Sequence, residues 1–463
     1  MARMKSSILK RELTPSRVLV FGYAGLILLG TIVLALPVAS SRGVERASIV
    51  DAYFTASSAI CVTGLIVRDT QHDFSPLGKA IILFLIQIGG LGYMTLATSF
   101  SLILGRKISL RERLATRDGL SQLTLEDLGR FALRVFMVTV ALEALGTAIL
   151  FTRFKILGMT VSRSFSFGLF HSVSAFCDAG FSTFSRNLSG YTGDVVVSLT
   201  VFTLFVTGGL GFFVLREAYR RWVRRSIRRF SVHSKLVLTV SGILLAVGFA
   251  GILLLEHGRA MTGMGVREKL LASLFQGATP RTAGFSTLDI GSLAPATLFL
   301  MMLLMFVGAS PGGTGGGVKT TTWGSCLLRL YSVLAGREHV SAFGRRLPEP
   351  LTTRALVLVI AGAMIVAAGT GLLLVSESEA VKEKGFVGVL FEEVSAFGTV
   401  GLSVGSYSKS QTSLSHDFSP LGKIIIALTM LAGRVGPLTL GVAVVIQQKR
   451  EVFAYPEGRV LIG

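Results

Sequence analysis

Long apolar runs alternate with short basic or turn-rich connections along this chain. The runs lie at about 18–37, 80–104, 130–151, 195–215, 236–255, from 294 onward, 355–375 and 422–446. A bilayer crossing needs roughly 20 apolar residues, so the pattern predicts eight spans. Within each pair of spans sits a shorter stretch of another kind, a half-length amphipathic run followed by a small-residue turn. The four copies are FTASSAICVTGLI at 54–66, FHSVSAFCDAGFS at 170–182, LFQGATPRTAGFS at 274–286 and FEEVSAFGTVGLS at 391–403. Aligned on one glycine, they place Gly64, Gly180, Gly284 and Gly401 together. Phe54, Phe170, Leu274 and Phe391 stand ten residues earlier, and Ser58, Ser174, Ala278 and Ser395 six earlier. A short helix that enters the bilayer partway and returns as extended chain fits this pattern. Irregular backbone at membrane depth is tolerated only where it lines water or is buried in protein.

Repetition fixes architecture before any other signal does. The expected fold class is an all-α membrane protein with eight transmembrane helices plus four pore helices. They form four pseudo-symmetric repeats of span, pore loop and span at 1–115, 116–230, 231–345 and 346–463, arranged as a pseudo-fourfold ring. Each repeat starts and ends inside, so both termini are expected in the cytoplasm, and the tiling leaves no room for a separate soluble domain. One motif recurs almost unchanged: HDFSPLGKAII at 72–82 and HDFSPLGKIII at 416–426. Its serine and proline suit a helix start, with a direct role in ion binding as the alternative.

Composition agrees. The chain has 463 residues, 51% hydrophobic and 16% charged, with a mean hydropathy of +0.66, which is the range of polytopic membrane proteins. A net charge of +20 raises nucleic acid as a partner. The basic residues, however, cluster in short loops beside apolar spans, as the positive-inside rule describes. The expected partner is therefore the lipid bilayer, and no nucleic acid. The basic start runs into an apolar span without a small-residue cleavage site, so no cleavable signal peptide is expected. Cys61, Cys177 and Cys326 form no CxxC pair, which argues against redox or metal chemistry. Cys61 and Cys177 share one register in two repeats and read as small packing residues. The six histidines are scattered, and no acid, base and nucleophile cluster suggests an enzyme.

The candidate chemistry lies in the four turns: Val62, Thr63 and Gly64; Asp178, Ala179 and Gly180; Thr282, Ala283 and Gly284; Thr399, Val400 and Gly401. Side chains differ while glycine persists, so a cation path built from main-chain carbonyls is expected. The competing reading is that each glycine permits tight helix packing. Asp178 and Arg281 break the symmetry. A charge at membrane depth is usually functional or paired, and Asp178 is one candidate partner for Arg281, direct tuning of permeation being the other reading.

The second spans share a glycine-rich middle at 88–92, 207–211 and 432–436, where Arg434 stands in place of Gly90 and Gly209. Arg434 follows Lys423 by eleven residues, roughly 16 Å along a helix. It reads either as a barrier to cation flow or as half of a buried pair with an acid such as Glu143. The third repeat departs most, its second span interrupted at 308–320 by glycine, serine and proline. Gly312, Gly313, Thr314, Gly315, Gly316, Gly317 and Lys319 there are expected to form a gate. A phosphate-binding GxxxxGK[ST] loop is the rival, but Val318 separates Gly317 from Lys319 and no strand precedes it.

On these residues the chain resembles the Trk/Ktr/HKT superfamily of potassium transporters over essentially its whole length. It is most similar to the bacterial KtrB branch, since it starts directly at the first repeat. The resemblance implies potassium uptake, often sodium-dependent, with K+ and in some members Na+ as substrates and no covalently bound cofactor. It also implies a homodimer on a cytosolic ring of nucleotide-binding KtrA-type subunits that control the gate. It assigns the filter to Gly64, Gly180, Gly284 and Gly401, the gate to 308–319 and the pore arginine to Arg434. Glycine at all four filter positions goes with potassium selectivity in that superfamily. A secondary transporter of another small cation or solute would instead predict inverted repeats, whereas these run parallel. The basic stretch at 216–230 is read as a topology signal, with docking of a partner as the alternative.

Overall fold

The computed structural model describes residues 15–92, Thr95 and 128–444. In chain order the helices are α1 (Pro15–Ala35), α2 (Ile49–Ile60), α3 (Pro76–Leu91), α4 (Leu128–Ile156), α5 (Val161–Phe176), α6 (Val195–Leu210), α7 (Phe212–Trp222), α8 (Val232–Glu256), α9 (Val266–Ala278), α10 (Pro295–Phe306) and α11 (Thr320–Leu334). A two-residue hairpin, β1 (Ser341–Ala342) and β2 (Arg345–Arg346), precedes α12 (Glu349–Ser376), α13 (Ser378–Gly398), α14 (Pro420–Val435) and α15 (Pro437–Val444). Among the described residues, α1, α4, α8 and α12 are long and apolar enough to cross a membrane, and α6 with α7 forms a bent fifth candidate. The basic segments at 1–14 and 106–113, and the end of the last run, lie outside the described residues.

Local chemistry explains the helix starts. In the repeated HDFSPLGK motif, Ser75 Oγ accepts Gly78 N–H at 3.0 Å and Ser419 Oγ accepts Gly422 N–H at 3.2 Å. Pro76 and Pro420 fill the first helical position. The motif is a helix cap, because Ser supplies an acceptor where the first turn has free donors and Pro lacks the N–H that would be left over. Two buried acids reinforce the same junction. Glu377, at the end of α12, accepts Ser419 N–H at 2.8 Å, and Glu256, at the end of α8, accepts Ala294 N–H at 2.9 Å.

The continuous second spans expected from hydropathy are not what forms. Helix α3 stops at Leu91, α6 at Leu210 and α14 at Val435, each followed by a glycine with φ of 74°, 90° and 92° at Gly92, Gly211 and Gly436. The α6–α7 break bends the chain by 103°. A left-handed residue ends an α-helix, and α10, with 12 residues against 16 in the other three, stops at Phe306, so all four second helices are interrupted, not the third alone.

Packing is cyclic. The first helix of each repeat packs on its own short helix: α1 on α2, α4 on α5, α8 on α9 and α12 on α13. The second helix packs on the short helix of the next repeat: α3 on α5, α6 on α9, α10 on α13 and, closing the ring, α14 on α2. The short helices form the centre. Residues 54–60 of α2 and 391–398 of α13 are wholly buried.

Candidate functional site

Each short helix ends in a turn and an extended return strand, and the turn repeats in backbone angle. Val62, Asp178, Thr282 and Thr399 have φ of 51°, 57°, 70° and 50°. Two residues later, Gly64, Gly180, Gly284 and Gly401 have φ of 93°, 66°, 72° and 87°. Left-handed backbone is uncommon for residues with a side chain and costs about 1–3 kcal/mol at each site. Four instances at one register are one conformation written four times.

The glycines converge. A Cβ on Gly64 would meet the Ala179 carbonyl and lie 3.1 Å from Gly180 Cα. One on Gly180 would lie 2.8 Å from Gly284 Cα, one on Gly284 would meet the Val400 carbonyl, and one on Gly401 would lie 2.8 Å from Gly64 Cα. The order 64–180–284–401 closes on itself. A cavity of about 470 Å³ opens on one side of this ring, with all four glycines, Asp69, Asn187 and Asp289 in its lining.

Hydroxyls hold each turn. Ser58 Oγ accepts Gly64 N–H at 3.0 Å, and Ser395 Oγ accepts Gly401 N–H at 3.1 Å. Ser174 Oγ donates to the Phe181 carbonyl at 2.7 Å. The third repeat has Ala278 at this register, and Thr279 takes over by donating to the Phe285 carbonyl at 2.5 Å. Thr279 is a site residue that alignment on glycine missed, its signal being a hydroxyl one residue late. A second layer of glycines lets the broken helices approach. A Cβ on Gly89, Gly208 or Gly433 would strike the carbonyl of Ile60, Phe176 or Phe397 respectively, each four residues before the ring glycine. Close packing is therefore the role of these second-helix glycines.

On the other side of the ring lies the glycine-rich segment at 307–319. Its bridge joins Val307 to Val318, and Gly308 N–H donates to the Val318 carbonyl at 2.9 Å. Ser310 and Thr314 N–H donate to the Gly209 and Gly208 carbonyls, and Gly317 N–H to the Gly433 carbonyl. Gly316 N–H donates to Thr399 Oγ1 at 2.9 Å, and Thr314 Oγ1 donates to Asp178 Oδ2 at 2.8 Å. Lys319 Nζ donates to the Gly315 carbonyl at 2.6 Å. The segment thus touches the turns of three repeats.

Neither pairing proposed from sequence is a direct ion pair among the described residues. Asp178, wholly buried, directs its carboxylate to the hydroxyls of Thr314 and Thr282. Arg281 donates instead to Ser241 Oγ on α8 at 3.0 Å. No ion pair joins the two among the described residues. Glu143 is not the partner of Arg434 either, since it accepts from Gln87 at 3.2 Å behind α5. Arg434, near the end of α14, donates to the carbonyls of Thr314, Gly89 and Gly90. A guanidinium, a rigid fork of donors with no acceptor, suits a cluster of carbonyls at a helix end.

The TrkH family model, described as a cation transport protein, matches residues 27–454. The chain belongs to this family. The Ktr system potassium uptake protein B of Bacillus subtilis (strain 168) is 36% identical over 466 residues, covering 100% of both chains. The potassium/sodium uptake protein NtpJ of Enterococcus hirae is 33% identical over 468 residues, also covering 100% of both. The crystal structure of the potassium transporter TrkH from Vibrio parahaemolyticus has the same fold, with a TM-score of 0.71 at 19% identity over 94% of this chain and 86% of that one. Family and fold make this a multi-pass membrane transport protein rather than an enzyme.

Proposed function

We propose that this chain takes potassium into the cell across the cytoplasmic membrane, through the ring of four glycine turns acting as a selectivity filter. The observation that carries the reading is the cyclic contact of Gly64, Gly180, Gly284 and Gly401 with one backbone conformation at all four. Carbonyls of Val62, Thr63 and Gly64 and their counterparts in the other repeats replace the water around the ion. In this reading the paired helices are eight spans, and α2, α5, α9 and residues 386–398 are four pore helices whose negative C-terminal ends face the cation. A negative interior favours entry by about 2.3 kcal/mol per charge per 100 mV.

We read the segment at 307–319 with Arg434 as the gate, a reading supported by the hydrogen bonds of Thr314 to Asp178 and of Gly316 to Thr399. The relatives' names, a Ktr system protein and a potassium/sodium uptake protein, support a multi-component assembly and a part for sodium. We read the chain as a homodimer with cytoplasmic termini on a nucleotide-binding KtrA-type ring. Potassium uptake in a bacterial strain lacking its own systems, measured with and without sodium, tests the proposal. Absence of uptake with the protein present in the membrane would overturn it.

A further inference from the structure

We propose that the segment 212–230 is a binding surface for the headgroups of anionic phospholipids. The inference goes beyond transport and needs only that the chain crosses a bilayer. Helix α7 leaves α6 at 103°, and its middle is fastened to the start of α8. Glu217 accepts both the N–H and the hydroxyl of Ser231 at 3.1 Å, and Ser231 is the N-cap of α8. Helix α8 has 25 residues with a hydropathy of 2.5, long enough to cross a membrane. Its N-cap therefore lies at a bilayer face, and α7 lies there with it.

Residues 216–230 contain seven arginines and one acid. That acid, Glu217, is turned toward Ser231. Arg216 packs over Phe131 and Phe213, and Arg221 over Phe230. Arg220, Arg224, Arg225, Arg228 and Arg229 are exposed, and none is in an ion pair among the described residues. The backbone that presents them is held, with Arg224 N–H donating to the Tyr219 carbonyl and Ser226 N–H to the Arg220 carbonyl at 3.0 and 2.8 Å. Beside them Trp222 is 67% and Val223 66% exposed. Tryptophan belongs at the interface between headgroups and acyl chains, and an apolar side chain next to cations is the pattern of a surface-lying helix. Guanidinium groups bind phosphate oxygens in pairs. An acidic protein face would match the charges but leave the apolar side chains unexplained.

The two tryptophans make a direct test, because Trp323→Phe leaves Trp222 as the only one. The full-length chain is reconstituted with brominated phosphatidylglycerol or brominated phosphatidylcholine, and Trp222 quenching is read. Quenching by the anionic lipid should be the stronger, should weaken at 0.5 M salt, and should lose its preference when Arg220, Arg224, Arg225, Arg228 and Arg229 become Gln. The relative association should fall about fivefold per charge removed at low salt. Changing the same five to Lys should retain most of the preference, and the salt series on the Trp323→Phe protein needs no charge-changed variant to fold. Equal quenching by the two lipids, or a preference untouched in the Gln variant, would overturn the proposal. Equal quenching with Gln-sensitive capture of a cytosolic subunit would assign the patch to a protein instead.

Discussion

Replacing Gly64 by alanine should abolish most potassium uptake while leaving the protein in the membrane. Two costs arise at this position. The first is conformational: with φ at 93°, an L-residue is strained by roughly 1–2 kcal/mol. The second is steric, because the new Cβ would meet the Ala179 carbonyl and lie 3.1 Å from Gly180 Cα. Both atoms are backbone of the neighbouring turn, so contact is relieved only by moving the strand of the second repeat. Strain alone lowers the population of the conducting geometry about five- to thirtyfold, and displacement of the adjacent turn adds to that. A loss of at least about tenfold is expected.

Two controls separate the causes. Gly43 has φ of 82° in an exposed loop with nothing within 4 Å of a Cβ. Gly43→Ala carries the same strain without a displaced neighbour and should transport like the parent. Gly242, inside α8, also has open space, and Gly242→Ala should leave uptake unchanged while favouring the helix by up to about 1 kcal/mol. The assay is rubidium uptake into potassium-depleted cells, normalised to protein in the membrane. Half the parent rate or more in Gly64→Ala, or an equal loss in Gly43→Ala, would refute the reasoning.

Arg434→Ala removes a positive charge from the path and should raise cation flux severalfold, and an unchanged or lower flux at normal abundance would count against a barrier. Deleting part of 312–317 should raise the uptake rate, and an unaltered rate would remove the gate assignment. Thr279→Val strips the Phe285 carbonyl of its donor, a loss of about 1–3 kcal/mol for a buried acceptor, so the ratio of potassium to sodium uptake should fall; an unchanged ratio contradicts the hydroxyl's role. Ser419→Ala removes a cap and should cost about 1 kcal/mol, seen as a lower melting temperature of the purified protein with unchanged ion preference.

How far the sequence could be read follows from which signals were local. The four glycines at one register, the capping serine of HDFSPLGK and the broken third span all depend on residue types with strong backbone preferences. The breaks at Gly92, Gly211 and Gly436 were present in the same alignment but hidden. Apolar residues continue across each of them, and glycine inside a membrane helix serves packing as readily as termination. Gly89 packs and Gly92 terminates, three residues apart in one string. The partners of Arg281 and Arg434 were illegible for another reason. Electrostatics suggested carboxylates, whereas the fold brings a hydroxyl to one and backbone carbonyls to the other, and no sequence pattern announces which carbonyl a side chain will reach.

Those carbonyls explain why the pseudo-symmetry is broken in the third and fourth repeats. A helix that stops in the middle of a protein leaves its last carbonyls without intrahelical donors, and burying them unpaired is costly. Besides α10, which runs into the segment at 307–319, three second helices stop here. The segment at 307–319 supplies N–H groups to two of them, from Ser310 and Thr314 to α6 and from Gly317 to α14. Arg434 supplies the third by donating to Gly89 and Gly90 on α3. A sequence of glycines is suited to this, because the segment must place successive N–H groups against three surfaces with no side chains in the way. If the segment is the gate, opening does not have to break these bonds without compensation. Withdrawing it admits water, and water can satisfy the same carbonyls. The two arrangements then differ in what caps these helix ends, protein N–H or solvent.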